Sequence, residues 1–172
     1  MPAGVLGSTN GGPEAAGYAR VRCANDRGYQ LGEVQGAEAA DDADGVVVPS
    51  WFDDGHAASE SLRRVLQQAH QRGVTILGLC LGSIPVADAG LLSGRRAVTH
   101  WRAFDSLAVR HPDVFLDKTV LYIDHGDVMT SAGTASGLDA CLHLVRARLG
   151  ADAANQVARR CPATAGNHRP VR

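Results

Sequence analysis

No stretch of the 172-residue sequence approaches the roughly 18 apolar residues a membrane-spanning helix needs. An excess of either charge is also missing: 17 Lys and Arg against 18 Asp and Glu give a formal net charge of -1. That balance offers no electrostatic footprint for nucleic acid or an anionic membrane. The four cysteines (Cys23, Cys80, Cys141, Cys161) include no C-x-x-C pair, and the opening "MPAGVLGSTNGGPEAAG" lacks the charged-then-apolar order of a secretory signal. Free thiols in a reducing cytoplasm are therefore expected rather than a disulfide frame. With no H-E-x-x-H or Cys/His cluster and no G-x-G-x-x-G or P-loop, neither a metal nor a nucleotide cofactor is expected.

What is present fits one domain with its own core. The first 17 residues, rich in Gly, Ala and Pro, read as an irregular lead-in. "YARVRCA" from Tyr18 alternates, with Ala19, Val21 and Cys23 on one side, as a strand near a sheet edge does. "GVVVP" (Gly45 to Pro49) is a short apolar strand. Ser59 or Ser61 caps a helix in which Leu62, Val65, Leu66 and Ala69 recur at helical spacing, and Gly73 stops it. "VTILGL" (Val74 to Leu79) is a second buried strand. Strand, helix and strand so close together predict a right-handed crossover with parallel strands, hence an open α/β sheet. The segments after both strands, at Pro49-Ser50 and at Cys80, then lie at the sheet edge where such folds place their sites.

Downstream, Phe104, Leu107 and Ala108 predict a short helix. "TVLYIDHGDVMTS" predicts a hairpin turning at His125-Gly126. Thr134 is the expected cap of an amphipathic helix with Leu138, Cys141, Leu142, Val145 and Leu149 on its stripe, ended by Gly150. A last helix over 151–160 precedes an irregular tail, 161–172.

The sharpest chemical signal is "GLCLGS". A cysteine on a tight strand-to-helix turn, with small neighbours to relieve crowding, has the layout of a nucleophile elbow. The thiol of Cys80 would sit at a helix N-terminus, whose dipole favours a thiolate, and the N–H of Leu81 would face a developing oxyanion. Pro85 is compatible because it falls in the first helical turn. The competing reading is a small apolar residue at the end of a buried strand.

"GLCLGSIPVADAGLLSGRRAVTHW" (Gly78 to Trp101) resembles the cysteine segment of the PfpI / DJ-one superfamily, a branch of the class I glutamine amidotransferase-like fold. It is most similar to the version found in AraC-type transcriptional regulators, and with "VVVPSW" and the stretch from Val120 to Arg160 the resemblance covers Tyr18 to Arg160. It implies a flavodoxin-like, doubly wound, mostly parallel sheet with helices on both faces, commonly in a homodimer. It also implies a site at the Cys80 elbow, with Gly82 beside it, His100 approaching the cysteine, and Ser50 and Trp51 lining the neighbouring loop. Relatives usually carry glycine at the position of Ser50, where an N–H helps form the oxyanion hole; a Cβ there makes a positive φ costlier. No first strand and helix bearing the superfamily's acid is recognisable, since Glu14 is the one acid before Asp26. The regulators also continue into a helix-turn-helix domain of roughly 100 residues, whereas this chain runs into "CPATAGNHRPVR".

The expectation is a small-molecule sensing domain clipped at both ends, with DNA reached only through the missing C-terminal domain. The alternative is a stand-alone cysteine hydrolase or hydratase, and a third reading is an inactive remnant with an open sheet edge. The other candidates are weaker. His125-Gly126-Asp127 imitates the H-x-E of true amidotransferases but reads better as a turn. His70 and His111 are expected to be solvated at helix ends, His143 lies off its helix's stripe, and His56 overhangs on a loop. Asp41-Asp42 and Asp53-Asp54 are read as solvated charges, Cys23 and Cys141 as packing residues, and Arg95-Arg96 as too few for a DNA patch.

Overall fold

A computed structural model describes residues 4–7, 21–22, 40–41 and 43–160. Among the described residues, six strands form one mixed sheet: β1 (Gly4–Gly7), β2 (Val21–Arg22), β3 (Ala43–Val48), β4 (Thr75–Leu79), β7 (Tyr122–Asp124) and β8 (Val128–Ser131), in the order β2-β1-β3-β4-β8-β7. The central strands β3, β4 and β8 are parallel, with Val48 opposite Gly78 and Leu79 opposite Ser131. A separate parallel pair joins β5 (Arg96–Ala97) to β6 (Phe115–Leu116).

The central strands have the uninterrupted apolar runs that burial on both faces demands. Their side chains alternate. Val46, Val48, Ile76 and Val128 face one core, with Leu66 and Ala69 of α1 (Glu60–Gln71) and Ile84 and Val86 of α2 (Ser83–Asp88). Val47, Leu77 and Met129 face a smaller core, with Ala140 and Leu144 of α4 (Thr134–Arg160). Helices thus cover both faces, as an α/β fold requires.

Helix α1 begins where a cap residue allows: Ser59 Oγ accepts the Leu62 N–H at 3.3 Å. It ends before Gly73, whose φ of +83° closes the last turn. Helix α3 (Phe104–Arg110) buries Phe104 and Leu107, but Ala108 points to solvent.

Four expectations are corrected. Gly4–Gly7, in the stretch expected to be irregular, forms a strand antiparallel to β3. The hairpin turns one residue later than expected, on Gly126-Asp127, because the His125 N–H bonds to the Val128 carbonyl at 3.0 Å. Gly126 still supplies the positive φ, +86°. The Gly137 N–H bonds to the Gly133 carbonyl at 2.9 Å, so Gly133 holds the cap position expected for Thr134. The packed face of α4 is also rotated: Gly137, Ala140 and Leu144 lie against the sheet, while Leu138 and Leu149 are 37% and 71% exposed. Gly137 and Ala140 let the helix backbone approach β8, which leaves Leu138 and Leu149 outside. Helix α4 does break at Gly150 (φ 85°, ψ 172°), as the sequence indicated. Of "YARVRCA", Val21–Arg22 forms the edge strand β2, and Cys23 lies outside the described residues, as does 161–172.

Candidate functional site

Strand β4 delivers Cys80 to the edge of the sheet. A single 3-10 turn, Cys80–Gly82, then leads directly into α2. Cys80 has φ of 57° and is the one non-glycine residue with positive φ among the described residues. An L side chain in this region costs about 1–2 kcal/mol, and the structure around the turn holds it there. Gly82 is the main cause. A Cβ on it would lie 1.8 Å from the Val48 carbonyl oxygen, and one on Gly78 would lie 2.9 Å from the Gly82 carbonyl oxygen. The two glycines that bracket the cysteine in "GLCLG" therefore let strand and helix backbone meet closely enough to force the turn.

Polar contacts fix it from a second direction. Ser83 and Thr99 are fully buried. Ser83 Oγ donates to Thr99 Oγ1 at 2.7 Å, and Thr99 Oγ1 lies 3.3 Å from the Cys80 carbonyl oxygen, to which it donates in turn. The Val98 N–H next to Thr99 donates to Thr130 Oγ1 of β8 at 3.1 Å. The "VTHW" segment is thereby tied to the turn after β4 and to β8, which brings His100 to the Cys80 edge. Sequence reasoning singled out His100 in this motif; its neighbour Thr99 makes the contact with the turn.

His100 itself acts as a cap. Its Nδ1 accepts the Arg102 N–H at 3.4 Å, which leaves the proton of the neutral ring on Nε2. Its ring lies 5.5 Å from that of Trp101. Among the described residues no hydrogen bond joins His100 or a carboxylate to the Cys80 thiol. Leu81 and Trp51 are half-buried against the larger core. Ser50 is half-buried on the loop after β3 and keeps a negative φ. Trp51 meets Phe52 edge-on at 6.1 Å. Ser50, Trp51, Cys80, Leu81, Gly82 and His100 thus all follow the C-terminal ends of the central strands or the segment tied to them. His56 is exposed on the same loop as Trp51.

The remaining candidates do not reach this edge. Asp127 lies beside the start of β8, at the opposite end of the sheet from Cys80, so His125-Gly126-Asp127 serves the hairpin. There Arg95 donates to both Asp127 oxygens at 2.8 and 2.9 Å, and His70 Nε2 lies 2.7 Å from Oδ2. The Arg95 guanidinium, chiefly, and His70 hold the Asp127 carboxyl well below the usual carboxylate range. His70 and His111, expected to be solvated, are both half-buried and paired, His111 Nε2 lying 2.8 Å from Asp88 Oδ1. His143 pairs with Asp124 at 2.8 Å. Asp53, read as a free loop charge, accepts from Ser106 Oγ of α3 at 2.9 Å. Asp41 pairs with Arg72 at 3.3 Å. Cys141 is half-buried on α4, and burial pushes its thiol up, toward the neutral form.

The DJ-1/PfpI family model matches residues 13–147. The HTH-type transcriptional regulator CdhR of Pseudomonas aeruginosa is 31% identical over 150 residues, which is 87% of this chain and 42% of that protein. Isonitrile hydratase of Pseudomonas putida is 36% identical over 91 residues, 59% of this chain and 38% of that protein. The chain therefore spans less than half the length of either relative. Among solved structures, an AraC family transcriptional regulator from Pseudomonas putida superposes with a TM-score of 0.67 at 23% identity, covering 81% of this chain and 75% of that one.

Proposed function

The chain belongs to the DJ-1/PfpI family, and from that premise we propose that it is the effector-sensing unit of an AraC-type transcriptional regulator, with a small-molecule pocket at the Cys80 turn. The match with CdhR over 87% of the chain carries this reading. The chemistry of the turn agrees with it. A cysteine used for turnover needs a partner to move its proton, yet His100, the candidate, spends Nδ1 on a backbone cap. The remaining features suit binding. Trp51 offers an aromatic wall, the Leu81 and Ser50 N–H groups offer donors, and the glycines keep the floor of the turn shallow.

In this scheme a small metabolite seats against Cys80 and biases the geometry of a homodimer. DNA is reached through a helix-turn-helix region of the kind named in CdhR, in a cytoplasmic setting. The elbow and its flanks, 18–160, form the sensing domain. Its occupancy test is a thermal-shift screen of small polar metabolites. A true effector should raise the midpoint progressively with concentration, since a ligand that binds only the folded state stabilises it by mass action. Trp51→Ala should abolish the shift. A panel in which every shift survives Trp51→Ala would overturn the placement of the pocket.

A second reading has its own support, the strained Cys80 turn together with the isonitrile hydratase match. As an enzyme, Cys80 would attack an electrophilic carbon and form a carbon–sulfur bond. The displaced electron pair would move to the substrate heteroatom, facing the Leu81 and Ser50 N–H groups, and His100 would deliver the thiol proton to it. Water would then add to the same carbon and the C–S bond would break, its electron pair returning to sulfur to free Cys80. This reading predicts multiple-turnover consumption of a substrate, lost in Cys80→Ser. Saturable binding with no turnover favours the sensor.

A further inference from the structure

Asp88 is the last residue of α2, the helix that starts immediately behind the Cys80 turn. Its side chain is 3% exposed, the least of any ion-pair member among the described residues. A carboxylate so buried survives only when its lone pairs are satisfied, and two separate segments supply three donors. The Ala58 N–H donates to Oδ2 at 2.7 Å, while Arg110 Nη2 and His111 Nε2 meet Oδ1 at 2.7 and 2.8 Å.

These donors lie at informative places. Ala58 is the far end of the loop that leaves β3 through Ser50 and Trp51. Arg110 and His111 are the far end of the segment that leaves the Thr99 anchor through His100, Trp101 and α3. The two stretches that wall the Cys80 edge are thus each pinned at their distal ends to one carboxylate. They are joined midway as well, where Ser106 Oγ donates to Asp53. Residues 83–87 of α2 are buried throughout, so the helix carries a fixed spacing from the turn to the carboxylate.

We infer that Asp88 is a positioning residue for the Cys80 site: one buried carboxylate that holds both walls closed over the cysteine. The inference rests on the reading of the Cys80 edge as the functional site. Asp88 touches no ligand in this scheme and acts through the Ser50–Ala58 loop and α3.

Asp88→Asn keeps the size of the side chain but removes its charge, leaving Arg110 without its counter-ion and His111 without a carboxylate partner. With the walls released, half-buried Cys80 should become more accessible. Its rate of alkylation by iodoacetamide, followed by peptide mass spectrometry, should rise by about tenfold, while that of Cys141 stays constant. A second readout does not depend on Cys80 at all. In a Trp101→Phe background, Trp51 is the only tryptophan, and its acrylamide quenching constant should rise by about twofold. Asp88→Glu, which restores the carboxylate, should recover part of both effects.

A folded Asp88→Asn protein with both readouts unchanged overturns the inference. So does an equal rise for Cys80 and Cys141, which marks general loosening. If Cys80 resists alkylation in Asp88→Asn as much as in the parent protein while Trp51 quenching rises, the clamp stands and the cysteine-site reading fails. Should Asp88→Asn fail to fold, Arg110→Ala removes one donor from a partly exposed position and is read by the same two measurements.

Discussion

At the scale of single residues, Cys80 is where the chain departs furthest from local preference. A left-handed backbone at a non-glycine residue is retained only when its surroundings over-determine it. Here those surroundings are the Gly82 contact with Val48 and the Ser83–Thr99 hydroxyl pair. Two variants lacking the thiol separate backbone strain from side-chain chemistry. Cys80→Gly should be more stable than Cys80→Ala by about 1 kcal/mol, because glycine meets no Cβ penalty at positive φ; urea denaturation of the pair measures it. The opposite order would mean that the turn relaxes at no cost when the thiol is lost. Gly82→Ala carries the contrary expectation. Its Cβ would fall 1.8 Å from a backbone oxygen that cannot step aside as a side chain would. The loss should be about 3 kcal/mol or more, since overpacking against fixed backbone exceeds the usual range for surface changes.

At the scale of elements, the hairpin β7–β8 is fastened to the rest of the fold at the edge away from Cys80. Asp127 joins the turn to Arg95, just before β5, and to His70, at the end of α1. Because the Asp127 carboxyl is depressed in the folded state, the unfolded chain binds its proton more readily. The resulting stability is present above about pH 4, the ordinary value for an unfolded Asp, and drains away as pH falls below it toward the depressed folded value. Asp127 is 39% exposed, so solvent screening limits the contribution to about 1 kcal/mol. Asp127→Asn should therefore lower the denaturation midpoint at pH 7, with the gap to the parent narrowing between pH 4 and pH 2. A constant gap across that range would assign the loss to the hairpin's hydrogen bonds rather than to charge. Helix α4 teaches a related lesson. Leu138, Leu142, Val145 and Leu149 fall on one stripe in the sequence, yet the sheet accepts the neighbouring one of Gly137, Ala140 and Leu144.

At the scale of the whole molecule, the sheet divides the interior into two cores that share strands but no side chains. Leu66 belongs to the larger core and Met129 to the smaller, and both are fully buried. Each change to alanine should cost about 2–5 kcal/mol. The double variant should lose the sum to within about 0.5 kcal/mol, as expected for sites without shared neighbours. A large departure from additivity in chemical denaturation would mean that the central strands shift and transmit strain between the faces. The same layered plan explains why the proposed site lies where it does. Parallel strands deliver their ends to one edge, and the chain must turn there toward the covering helices, leaving backbone and side chains accessible at the turns.

What the sequence determined by itself was set by local rules. Apolar runs of four or five residues made β3 and β4, a serine and a glycine bounded α1, and glycines on either side of a cysteine marked the turn. These signals are strong because a few neighbouring residues decide them. Tertiary structure decided the rest. It chose which face of α4 packs, because backbone approach matters there more than side-chain size. It moved the hairpin turn by one residue, through the pairing of β7 with β8. It gave His70, His111 and Asp53 partners lying 57, 23 and 53 positions away in the chain. The role of Asp88 belongs to this second class. Nothing adjacent to it in sequence distinguishes it from a solvated charge, and only folding brings the Ala58, Arg110 and His111 donors to the same carboxylate.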